Sequence, residues 1–187
     1  HHIPTSVKLH RYNKTSADDY EIVNLDELDN HISSRHKNWI EVVGFENIEI
    51  IDKLGEKFEI SPMTLEDMLN VGQLPKIEEL ENYVYTTLKM VEFDEAMEKF
   101  SISHFSMITK DNILITFSET SHTLFNELAN RLRVQTSKLR SSDISFLSYR
   151  LVDTIVDHYY YAMEWFSNIL GDLEINLVEA PDKEHIN

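Results

Sequence analysis

The chain passes from helix to strand within one run of residues, Leu65-Glu66-Asp67-Met68-Leu69-Asn70-Val71-Gly72-Gln73-Leu74-Pro75-Lys76-Ile77-Glu78. One buried face of a short helix fits the apolar residues Met63, Leu65, Met68, Leu69 and Val71. That face leaves Glu66 and Asp67 pointing away from the core. Gly72 is expected to end the helix, and Pro75 forces a turn before an extended segment begins at Lys76. Two adjacent carboxylates are therefore predicted at a fixed place beside a corner of the chain.

Short elements surround this corner. Alternation and β-branched or aromatic residues predict strands at 6–10, 39–44, 76–78, 83–93, 100–109 and 113–117. Helical spacing predicts helices at 23–32, 47–57 and 125–134, and Ser61-Pro62 is typical of the start of the helix that contains Glu66. Residues 13–19 are polar and predict a turn.

From Asp143 the pattern changes to one long helix, 143–179. An apolar stripe at spacings of three and four comprises Ile144, Leu147, Leu151, Ile155, Tyr159, Met163, Phe166, Leu170, Leu173 and Leu177. A helix of this length extends about 54 Å, farther than a domain of this size reaches. We therefore expect its far end to leave the globule and to pack on another element.

The order of elements predicts an α/β fold: a layered α/β/α sandwich with a mixed, partly antiparallel sheet, followed by a long C-terminal stalk helix that is truncated. Residues 1–142 are expected to form the α/β domain, and 143–187 the long helix that begins the stalk.

Charge is the informative feature of the composition. Thirty-three acidic against seventeen basic residues give a net charge of −16, which disfavours nucleic acid and anionic lipid as partners and favours cations. The chain has no cysteine, so disulfides and thiolate zinc sites are excluded. No run approaches the roughly 20 apolar residues of a membrane helix, and no signal peptide is evident, so we expect this piece to be soluble and cytoplasmic.

A second pair of acids lies on the long helix. Asp153 and Asp157 are one helical turn apart, and like charges at that spacing need either solvent or a cation beside them. The simple interpretation is two solvated acids on an exposed face. The nine histidines lack the spacing of a zinc site, and neither a glycine-rich phosphate loop nor a nucleophile elbow is found.

Four blocks of this sequence resemble the CorA family of magnesium and cobalt channels. The family carries Leu-Glu-Asp-x-Leu-Asn-x-x-Gln-Arg-Pro-Lys-x-Glu where this chain has 65–78, with Leu74 in place of the arginine. The segment 149–160 is similar to the family pattern Tyr-x-Leu-[Ile/Leu]-Asp-x-[Ile/Leu]-Val-Asp-x-Tyr-Phe. Shorter matches are Trp39-Ile40-x-Val42-x-Gly44 and Tyr83-x-Tyr85-x-x-Leu88-Lys89-Met90. The blocks occur in family order between about Trp39 and Glu174.

The resemblance implies a regulatory role for Mg²⁺, with Co²⁺ as an alternative ion. In relatives an acid at the position of Asp67 binds Mg²⁺ with a stalk acid of the adjacent subunit, and a second site involves the positions of Glu66 and Asp153. The metal candidates are thus Glu66, Asp67, Asp153 and Asp157, and no catalytic residue is expected. The family also implies that 1–142 is a cytoplasmic regulatory domain. It further implies a homopentamer at the cytoplasmic face of the inner membrane, with two transmembrane helices and the pore loop beyond Asn187.

Three other interpretations stay open at this point. A zinc transporter of the same superfamily would share this domain, because the selectivity loop lies outside it. A metal-dependent hydrolase would use the same four acids, but no histidine or phosphate loop converges with them to act as base or electrophile. A purely structural adaptor is the third.

Overall fold

One mixed sheet forms the centre of the chain in the computed structural model, which describes residues 3–94 and 99–179. Its seven strands are β1 (Ser6–Tyr12), β2 (Ala17–Glu21), β3 (Lys37–Val43), β4 (Lys76–Glu79), β5 (Val84–Asp94), β6 (Lys99–Lys110) and β7 (Ile113–Ser118). Their spatial order is β2-β1-β3-β7-β6-β5-β4. Every neighbouring pair is antiparallel except β3 and β7, which are parallel.

Six α-helices accompany the sheet in the described residues: α1 (Leu28–His31), α2 (Ile48–Phe58), α3 (Pro62–Leu69), α4 (Thr123–Arg133), α5 (Lys138–Ser141) and α6 (Ile144–Glu179). A 3₁₀ turn, Leu25–Glu27, precedes α1. The predicted start of α3 is confirmed, because the side chain of Ser61 accepts a hydrogen bond from the Thr64 N–H and Pro62 occupies the first turn.

Two hydrophobic clusters cover the two faces of the sheet. Strand β3 contributes to both, since Ile40 and Val42 point to one face and Trp39 to the other. The first cluster takes its helical members from α1, α2 and α3, and the second takes them from α4, α5 and α6. The predicted α/β/α layering with a mixed sheet and a long C-terminal helix is therefore confirmed.

Three local predictions are wrong. The supposed turn at 13–19 includes the start of β2, which forms although it is polar because it pairs with the edge of β1. Met63 is 77% exposed and Val71 is also exposed, so neither belongs to a buried face. The helix α3 ends at Leu69 with Asn70 as its cap, before Gly72 is reached. The predicted turn at Asp94-Glu95 falls partly outside the described residues.

The stripe on α6 is buried only over its first half. Ile144, Leu147, Leu151 and Ile155 are almost fully covered by the sheet and α4. The same stripe then comes out into solvent, with Met163, Phe166, Leu170 and Leu173 exposed. The side chain of Leu177 and the last part of the predicted stalk region, 180–187, lie outside the described residues. Within the described residues, no helix has both the length and the apolar character that crossing a bilayer requires.

A buried charged group ties three strands together at the β2 edge of the sheet. His10 on β1 donates from Nδ1 to Asp19 Oδ1 at 2.7 Å and from Nε2 to Glu41 Oε2 at 3.2 Å. Burial lowers the pKa of His10, but the hydrogen bonds to the two carboxylates outweigh it, so the pKa is raised above its usual value. The hydrogen bond from His10 lowers the pKa of Asp19, and Arg133 of α4 adds to that effect. The two carboxylates thus favour the protonated form of the imidazole.

The halves of α6 are expected to respond differently to the same truncation. Leu151→Ala removes a fully buried side chain and should lower the free energy of unfolding by about 3 kcal/mol. Leu170→Ala, at a side chain that is 63% exposed, should change it by less than about 0.5 kcal/mol in the monomeric chain. Urea unfolding of both variants measures this. Equal losses would show that the outer half of α6 is packed within one subunit.

Replacing His10 should change how stability depends on pH. Because the pKa of His10 is raised on folding, its contribution is complete below the unfolded pKa of about 6.5 and is lost as the pH rises through the folded pKa. His10→Gln should therefore cost about 2 kcal/mol near pH 6 and less near pH 9. The control is His158→Gln, whose ring contacts the carbonyl of Thr154 on its own helix. An equal cost at both pH values would contradict the cationic assignment.

Candidate functional site

Helix α3 presents the first pair of candidate acids. Met68 is fully buried in the core, and Leu65 packs against α2 at Gly55. A Cβ at position 55 would lie 2.3 Å from Leu65 Cδ1, so the glycine makes room for that side chain. With these two residues turned inward, Glu66 and Asp67 face outward at the C-terminal turn of α3. The sequence-based placement of both carboxylates beside the corner is confirmed.

The two neighbouring acids have different surroundings. Glu66 is exposed and lines a groove with two further acids, Asp52 and Glu56 of α2. Asp67 is half-buried, and its Oδ2 accepts a hydrogen bond from Lys76 Nζ at 2.7 Å. Adjacent positions on the helix therefore give one carboxylate among other acids and one that already has a counter-ion.

Lys76 is held by several groups at once. Its Nζ also lies 3.2 Å from Glu78 Oε2 and 5.5 Å from the centre of the Tyr85 ring. The hydrogen bond with Asp67 raises the pKa of Lys76, and Glu78 raises it further. Lys76 and Asp67 are each 28% exposed, so solvent screens this pair less than it screens a fully exposed one. The ammonium is thus a permanent cation beside Asp67.

The acids on α6 also lie beside basic groups. Asp153 forms an ion pair with Arg150, three residues earlier on the same helix. Asp157 is exposed and lines a groove that also contains Arg131, Arg150 and Glu127. Within the subunit, Asp153 is therefore paired with an arginine, and Asp157 shares a groove with two arginines.

The four candidates do not form a single metal centre inside one subunit. Across residues 3–94 and 99–179, no group of three or more His, Asp or Glu side chains is arranged to hold a metal ion. Glu66 and Asp67 share a corner, and Asp153 and Asp157 share a helix face, but each pair contributes one or two carboxylates at most. Such sets fit Mg²⁺, which prefers hard oxygen ligands and keeps several of its waters. Further carboxylates would have to come from outside the described part of this subunit.

The sequence interpretation missed three basic residues that pair with carboxylates: Lys76, Arg150 and His10. The pairing of Arg150 with Asp153 has a visible signal, because opposite charges three residues apart on a helix are neighbours. Lys76 has none, since its contact with Asp67 depends on the way β4 comes back beside α3 after Pro75. Both ring nitrogens of His10 already face carboxylates, so neither is available to a metal ion in this structure.

The sequence matches one protein family over most of its length. Residues 34–187 match the family described as CorA-like Mg²⁺ transporter protein. A curated relative, the cobalt/magnesium transport protein CorA of Thermotoga maritima, is 33% identical over 148 residues, which are 79% of this chain and 42% of the relative. This chain therefore spans less than half the length of that protein.

Solved structures share the fold at low identity. The soluble domain of CorA from Methanocaldococcus jannaschii superimposes with a TM-score of 0.69 at 19% identity, covering 95% of this chain and 67% of that one. The cytoplasmic domain of ZntB from Vibrio parahaemolyticus gives a TM-score of 0.64 at 9% identity, covering 98% and 68%. At these identities the likeness shows a common fold and nothing about the ion.

Proposed function

This chain belongs to the CorA-like family of Mg²⁺ transporter proteins, and from that premise we propose that it is the cytoplasmic regulatory part of a longer divalent-cation channel. The channel conducts Mg²⁺ or Co²⁺, and Mg²⁺ held between subunits on this side of the membrane favours its closed state. The acids that hold the ion are Asp67 and Asp153, assisted by Glu66 and Asp157. The longer protein is a homopentamer.

One observation carries the proposal: α6 bears candidate acids on the same helix that exposes an apolar stripe to solvent. Exposed apolar stripes of this length indicate a protein contact. A neighbouring chain that covers Met163, Phe166 and Leu170 packs on the helix that carries the acids, which lie about two to five turns earlier. Carboxylates from two chains then meet at one boundary, where each chain alone supplies too few ligands.

The charge of the chain explains why such a boundary would respond to Mg²⁺. Each chain carries −16, so subunits that approach one another repel. A bound Mg²⁺ supplies two positive charges at the boundary. Asp67 and Asp153 bind it from half-buried positions, where charge interactions are stronger than in bulk water. An ion shifts a population only by its differential affinity for the two arrangements, so several weak sites per assembly are required.

The competing interpretations have less support. The family is one of transport proteins and not of enzymes, which argues against a hydrolase. Against the zinc alternative, the likeness to the ZntB cytoplasmic domain is a likeness of fold, and the curated relative is named for cobalt and magnesium.

Removing the two half-buried acids should remove the response to Mg²⁺. At 10 mM Mg²⁺ and a dissociation constant of about 1 mM, mass action stabilises the folded assembly by about 1.4 kcal/mol per chain, or roughly 3–5 °C in melting temperature. In the full-length protein, Asp67→Asn with Asp153→Asn should abolish most of this shift. Channel currents of the double variant should also be less inhibited by internal Mg²⁺.

The matched control is Asp18→Asn with Asp29→Asn. It removes two acids that are also in ion pairs, with Arg11 and Lys57, but lie elsewhere on the surface. This control should keep the full Mg²⁺ response. A wild-type response in the Asp67, Asp153 variant, measured by both melting and currents, would show that these residues are ordinary surface acids.

A further inference from the structure

The ammonium group of Lys76 is paired with the carboxylate of Asp67, which a divalent ion would need as a ligand. Lys76 Nζ is 2.7 Å from Asp67 Oδ2, which is direct hydrogen-bond distance between charged partners. An ion that binds this oxygen has to displace the hydrogen bond and come near a fixed positive charge. Both effects weaken binding of the ion.

The strand pairing of β4 sets the position of the Lys76 ammonium group. Lys76 is the first residue of β4 and pairs with Thr87 of β5, while Glu78 pairs with Tyr85. Because residues two apart on a strand share a face, Lys76 and Glu78 lie on the same side of β4. Pro75 fixes the chain immediately before this strand. The ammonium is thereby aimed at the last turn of α3.

A second resting place for the ammonium is already present. Glu78 Oε2 is 3.2 Å from Nζ, and the ring of Tyr85 lies on another side of it at 5.5 Å. When Asp67 releases Lys76, the positive charge keeps one carboxylate and an aromatic face. Displacement therefore does not leave an unpaired, half-buried charge, and the exchange stays reversible.

We propose that Lys76 is a tethered competitor that sets the concentration of divalent cation at which Asp67 becomes occupied. The inference rests on the proposed function, in which Asp67 holds the ion. Without ion, the Lys76 ammonium neutralises Asp67 within the subunit. When a divalent ion takes Asp67, the ammonium moves to Glu78. Because the ion must first break the Lys76–Asp67 ion pair, the cation concentration needed to occupy Asp67 rises. For a half-buried pair the expected increase is roughly three- to fivefold.

The test measures the Mg²⁺ concentration at half-maximal shift in melting temperature of the full-length protein. Lys76→Met should lower this midpoint roughly three- to fivefold, because the competing cation is gone. Lys76→Gln, which keeps a hydrogen-bond donor but no charge, serves as a second variant if the methionine form folds poorly, and its midpoint should fall as well.

Two controls separate direct competition from a change of net charge. Lys8→Met breaks a comparable ion pair, with Glu21 at 2.9 Å, five strands away from β4 in the sheet. Lys89→Met removes a positive charge from β5, next to β4, where the ammonium donates to the carbonyl of Val71 and not to a carboxylate. Neither should lower the midpoint as far as Lys76→Met does.

The outcomes distinguish this inference from the function on which it rests. If Asp67→Asn keeps the wild-type midpoint, the proposed ion site is wrong, and the inference about Lys76 is refuted as well. If Asp67→Asn weakens the response while both Lys76 variants keep the wild-type midpoint, the ion site stands and the competitor is refuted. A fall in Lys89→Met equal to that in Lys76→Met would also refute direct competition, since net charge alone would then account for it.

Discussion

The parallel pairing of β3 with β7 holds the two halves of the sheet together. On one side of this pair lie β1 and β2, and on the other lie β6, β5 and β4, with every remaining pair antiparallel. Trp39 crosses the junction, fully buried, and donates from Nε1 to Thr116 Oγ1 at 2.9 Å. Because more than sixty residues separate the two strands in sequence, their pairing closes the loop that contains α2, α3 and β4 to β6. The position of Asp67 depends on that closure.

The candidate acids lie on the outer sides of the two helical layers. Helix α3 covers one face of the sheet and α6 covers the other, and each turns its carboxylates away from its own hydrophobic cluster. Inside one subunit Asp67 and Asp153 are already neutralised by Lys76 and Arg150. Because these two acids are already paired, they add less to the repulsion between subunits than their formal charges imply. In the mechanism that we propose, regulation depends on the exchange of a chain-borne cation for a divalent one.

Strong periodicity made much of the fold predictable. The alternating strands, the N-terminal cap of α3 and the long stripe of α6 all follow from local residue patterns. Strand β2 could not be predicted, because Ala17–Glu21 has no apolar alternation and forms only against β1, where His10 reaches Asp19. Met63 and Val71 were misplaced because α3 is eight residues long and the core covers only its middle. The contact of Lys76 with Asp67 joins two elements across a turn, which no local pattern encodes.

The most direct measurement is anomalous scattering from Co²⁺ in crystals of the full-length protein grown with and without that ion. If Asp67 holds the regulatory ion, a Co²⁺ peak is expected beside its carboxylate at a boundary between two subunits. In the same crystals Lys76 Nζ should have moved from Asp67 to Glu78. A structure that shows saturating Co²⁺ in the pore, but no peak near Asp67 or Asp153 and an intact Lys76–Asp67 ion pair, would contradict the account.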